Sequence, residues 1–71
     1  MSKYALAKDL LAQSSSLADG ADLDSVDVLE ALVVMGIQNL IQARDGNYVR
    51  SFLEYELDNI RADGVFEIQK R

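Results

Sequence analysis

Five acids and no base fall between residues 19 and 30: Asp19, Asp22, Asp24, Asp27 and Glu30. Carboxylates crowded in this way could dock a cationic protein surface, imitate the charge of a nucleic acid, or ligate a hard cation. A calcium loop needs oxygen ligands at its first, third and fifth positions, Gly at the sixth and Glu at the twelfth. Counted from Asp19, Glu30 satisfies the twelfth, but Ala21, Leu23 and Asp24 occupy the third, fifth and sixth. Calcium is therefore not expected. Acids are also favoured around a helix start, where they cap free N–H groups and complement the dipole. If the patch does more than that, Asp22, Asp24, Asp27 and Glu30 are the expected contacts for a protein partner.

The chain has no His and no Cys, which removes thiolate nucleophiles, Ser-His-Asp relays, disulfides and the ordinary zinc, copper and haem ligand sets. No catalytic residue, metal ligand or cofactor is expected, and the protein is not expected to be an enzyme. Direct nucleic-acid binding is not expected either. Five bases scattered over the first 61 residues make no phosphate-tracking stripe, and a net charge of −5 repels the backbone. An inhibitor that mimics nucleic-acid charge remains the alternative to an apolar adaptor.

Ser25 has a second possible use. Gly20-Ala21-Asp22, followed by Asp24-Ser25-Val26-Asp27 and Glu30, resembles the Gly-Ala-Asp-Ser-Leu signature of acyl and peptidyl carrier proteins, stretched by two residues. The resemblance covers about a dozen residues. It implies a small acidic helical fold with phosphopantetheine attached to Ser25 at the start of the second helix.

The elements that would position these groups follow from periodicity. Apolar residues at 49% are too many for a disordered chain, so 71 residues should form one helical domain spanning 1–71. Asp-Gly occurs three times, at residues 19–20, 45–46 and 63–64, each after an apolar-periodic stretch, and a Gly just past a helix takes the left-handed conformation that closes the last turn. Three helices are predicted, at about 3–18, 25–44 and 48–62, with Ser2, Asp22 or Asp24, and Asn47 as their caps. The tail 65–71 reads as a short extended or disordered segment.

The first helix carries Leu6, Leu10 and Leu17 in one stripe, with Ala7 and Leu11 beside it. In the second, the apolar arc covers roughly 240° of the circumference, where a one-faced helix needs little more than about 100°. This should be the central helix of an all-α, three-helix bundle. Two shorter neighbours can hardly cover so wide an arc, so a homodimer through Val28, Leu32, Met35 and Asn39 is expected, with Asn39 available to fix register. A chain of this size without disulfides or metals also benefits from oligomerisation.

On the third helix Val49, Phe52, Leu53, Leu57 and Ile60 form a stripe, and Glu56 falls inside it. A carboxylate there is costly unless paired, so Glu56 is expected as a buried or interface charge, meeting Lys3, Lys8 or Arg44 of its own or another chain, or a cation from a target. Tyr48 and Tyr55, with Arg44 and Arg50 near in sequence, supply residue types that anchor protein interfaces. The longest uncharged run, 31–43, is thirteen residues, short of the roughly 20 of a membrane span, and Met1 to Lys8 has no signal-peptide core. A cytoplasmic protein with a protein partner and no membrane contact is the expectation.

Overall fold

The computed structural model describes residues 2–68, which form α1 (Lys3–Gly20), α2 (Ser25–Ala43) and α3 (Gly46–Asp58). The all-α expectation holds: among the described residues 75% are helical and none forms a strand. Contacts divide it into two compact units, Met1–Gly36 and Ile37–Arg71, with α2 contributing its 25–36 part to the first and its 37–43 part to the second.

In the first unit, α1 starts where the sequence places it. The Ser2 hydroxyl accepts a hydrogen bond from the Ala5 amide at 3.1 Å, satisfying one of the otherwise orphaned N–H groups of the first turn. The C-terminus closes differently from the expectation. Leu23 N–H donates to the Ala18 carbonyl at 2.9 Å and Asp22 N–H to Asp19 at 3.2 Å, a Schellman pattern whose left-handed residue is Asp22, at φ 59°. Gly20 is instead the last helical residue. The apolar contact that usually accompanies this motif joins the residues in the positions of Leu23 and Ala18, and Ala18 is the buried residue of α1.

The left-handed conformation costs a non-glycine residue roughly 1–2 kcal/mol, least for Asp and Asn. Asp22→Gly is therefore expected to stabilise the first unit by about 0.5–1 kcal/mol, the gain being trimmed by glycine's larger unfolded-state entropy. The urea midpoint should rise; a fall would contradict the assigned backbone.

Asp24 caps α2, its Oδ1 accepting from Val26 N–H at 2.8 Å and its carbonyl from Val28 N–H at 3.1 Å. Asp27 in the first turn complements the dipole. The helix ends one residue short of the expected boundary, at Ala43.

In the second unit α3 begins and ends early. Asp45, not Asn47, is the N-cap: its Oδ1 accepts from Tyr48 N–H at 2.8 Å, and Gly46 becomes the first helical residue rather than a stop. The helix ends at Asp58 because the following chain has better partners ahead of it. Arg61 N–H donates to the Val65 carbonyl at 2.8 Å, Glu67 N–H to Asn59 at 3.2 Å, and Ile60 and Phe66 form an isolated antiparallel bridge. Gly64, at φ 86°, makes the turn, its N–H donating to the Arg61 carbonyl at 2.8 Å. The expected tail is thus a folded-back clasp over 60–67, and its residues 69–71 lie outside the described part. Val49, 2% exposed, is the centre of this unit, with Phe52, Leu53 and Glu56 half-buried around it.

Candidate interaction surfaces

Each unit has a cleft whose walls are mostly apolar. In the first, α1 contributes Ala7, Leu10, Leu11 and Leu17 and α2 contributes Leu32 and Gly36 to a cleft of about 670 Å³. No charged side chain lines it. Of its two polar residues, Ser14 satisfies its own hydroxyl by donating to the Leu11 carbonyl at 2.7 Å. Leu10 is 54% exposed and Leu17 74%, so these side chains contribute little to the unit's own core.

In the second unit a cleft of about 500 Å³ is floored by Ile37, Ile41, Leu53 and Leu57, with Asn47, Arg50 and Glu54 supplying polar contacts. Phe52 lines a smaller hollow with Tyr48 and Tyr55. The Arg44 guanidinium lies 5.6 Å from the centroid of the Tyr48 ring, a cation–π arrangement that holds both groups at the surface. Tyr48 and Tyr55, expected from the sequence as partner contacts, both line that hollow.

The remaining site residues are placed as follows. Asp22, Asp24, Asp27 and Glu30 are exposed on the connection into α2 and its first two turns, and Asp22 and Asp24 have structural work there as helix terminus and cap. No group of three or more acids is placed to hold a metal ion among the described residues. Ser25 opens α2, half-buried. Val28 is half-buried, whereas Leu32, Met35 and Asn39 are exposed. Glu56 is half-buried and forms no salt bridge within the described residues of its own unit.

No family model, curated protein or solved structure matches the chain. The chemistry of these surfaces must therefore be read from the residues themselves. α2 has the length and mean hydropathy, 1.4 over eighteen residues, of a helix able to cross a membrane, a test that the core helix of a soluble protein also passes. Its uncharged part, 31–43, rises only about 20 Å against the roughly 30 Å of a hydrocarbon core.

Sequence reasoning missed the ionic clasp that closes the second unit. Arg61 holds Asp63 through Nη2 at 2.9 Å and Glu67 through Nη1 at 2.8 Å. Its guanidinium, and then the Val65 amide donating to Oδ1, keep the Asp63 carboxyl below its usual value of 3.8. A depressed acid stabilises the folded clasp above its unfolded pKa and loses that effect as pH falls through the lower folded value. In an NMR acid titration the Val65 amide and Arg61 Nε resonances are expected to move together with a midpoint below 3.8; a midpoint at or above it would contradict the contact.

Proposed function

We propose that the protein is a small interaction module, an adaptor, regulator or inhibitor that acts by occupying a surface on a larger protein, and that it self-associates as a homodimer. The observation that carries this reading is the apolar area left open on both units: Leu10, Leu17, Val33 and Leu57 are each more than half exposed. Large exposed apolar patches with polar rims mark sites of protein association. The polar rim on the second unit, with Arg50, Glu54 and the Arg44–Tyr48 pair, has the residue types that give such surfaces specificity. The module needs no cofactor and works in the cytoplasm without touching nucleic acid.

A charge-mimicking inhibitor has less support, because one of its four proposed contacts, Asp24, already spends its carboxylate as the cap of α2. Capture from native lysate with stepwise salt elution separates the two. An apolar module keeps its partner through the high-salt steps, whereas a charge mimic releases it early as screening shortens the range of the field.

A further inference from the structure

α1 exposes a stripe that its own unit does not use. Its buried edge runs through Ala18 and the half-buried Tyr4 and Ser14. Beside that edge lie Lys3, Leu6, Leu10, Gln13, Leu17 and Gly20, separated by three, four, three, four and three residues. Alternation of three and four is the spacing of a coiled-coil seam. The leucines on it are 51%, 54% and 74% exposed, and the stripe continues into the apolar cleft shared with α2.

We infer that this seam is closed by the α1 of a second copy, running antiparallel, so that two α1–α2 pairs come together as a four-helix arrangement. Charge sets the direction. The first half of α1 carries Lys3 on the stripe, with Lys8 on the opposite face and Asp9 offsetting it, while its far end and the connection beyond it carry Asp19, Asp22 and Asp24 with no base. A parallel pairing sets the acidic ends together and Lys3 against Lys3. An antiparallel pairing brings Lys3 to the acidic end of the partner, and opposes the two helix dipoles favourably. Seam positions then alternate across the two-fold axis, which passes near Leu10 and Gln13, and Leu6 packs against the partner's Leu17. A polar Gln13 at the centre gives the seam a position that specifies register, as buried polar residues do in coiled coils.

This inference rests on the self-association part of the proposed function and assigns it to α1 rather than to Val28, Met35 and Asn39 of α2. The chain contains no cysteine, so single cysteines report the geometry without background. In an antiparallel dimer Gln13→Cys sits within about one helical turn of its own copy and is expected to cross-link on oxidation, whereas Leu6→Cys is offset by roughly 15 Å and is expected not to. Cross-linking of both variants overturns the proposal by showing a parallel seam, with self-association intact. Failure of both, in a protein that sediments as a dimer, moves the interface off α1 and likewise overturns it. Failure of both in a protein that sediments as a monomer removes the dimer itself, and with it that part of the proposed function.

Discussion

Leu17→Arg is expected to abolish dimerisation while leaving the helices intact. Leu17 is the most exposed of the large apolar side chains, at 74%, so its removal deletes almost no packing within its own unit. Exposed substitutions of this kind usually change folding stability by less than about 0.5 kcal/mol. At the seam the consequence is different, because a two-fold axis introduces the change twice and each copy buries an arginine against the partner's Leu6. A penalty of about 3 kcal/mol in total raises the dimer dissociation constant by more than 100-fold. Circular dichroism should remain helical while sedimentation reports the lone subunit. A variant that stays dimeric places the interface elsewhere.

Val49→Asp is expected to have the largest effect on folding. Val49 is 2% exposed and is the buried residue of α3, so an aspartate there is taken out of water with no cation supplied. Mutations of this class cost roughly 3–5 kcal/mol, and in a domain this small each kcal/mol shifts the melting temperature by about 4–8 °C. A fall of at least about 15 °C, or loss of a cooperative transition, is the expected outcome. Val33→Asp is the matched control: Val33 is also a helical valine but is 61% exposed, and its replacement should leave the melting temperature nearly unchanged. Equal effects at the two positions would contradict the assignment of Val49 as the centre of its unit.

The contrast between these two valines shows where the sequence is legible. Helix existence, the Ser2 cap and the start of α2 follow from local chemistry, because a hydroxyl or carboxylate and the amide it caps are only two or three residues apart. Helix ends that depend on choices between equivalent local signals do not. Three Asp-Gly pairs look alike, yet one pair ends inside α1 and leaves the left-handed turn to Asp22, one starts α3, and one forms the turn of the clasp. What separates them is their surroundings: Leu23 returning to Ala18 in the first case, Asp45 capping Tyr48 in the second, and Ile60 pairing with Phe66 in the third. The early end of α3 is the clearest instance. Periodicity continues through Ile60, but its backbone gains a bridge partner six residues ahead that no helical pattern reveals.

Among the candidate site residues, the sequence separated surface from interior less well. An apolar arc records that a helix needs cover without saying what supplies it, and α2, read as the central helix, contributes no fully buried residue to either unit. The acids before α2 were legible as caps because capping is local; their value as a docking patch depends on a partner. Arg61 gave no signal, since its two acids gain meaning only once the Gly64 turn folds the chain back.

All of this turns on whether the open leucines of α1 are covered by protein in solution. Sedimentation equilibrium of the unmodified chain at micromolar loading tests it without any substitution. A mass of twice 7.9 kDa is the expected result, with little binding of an apolar dye. A single subunit of 7.9 kDa at every loading, binding no such dye, would contradict it.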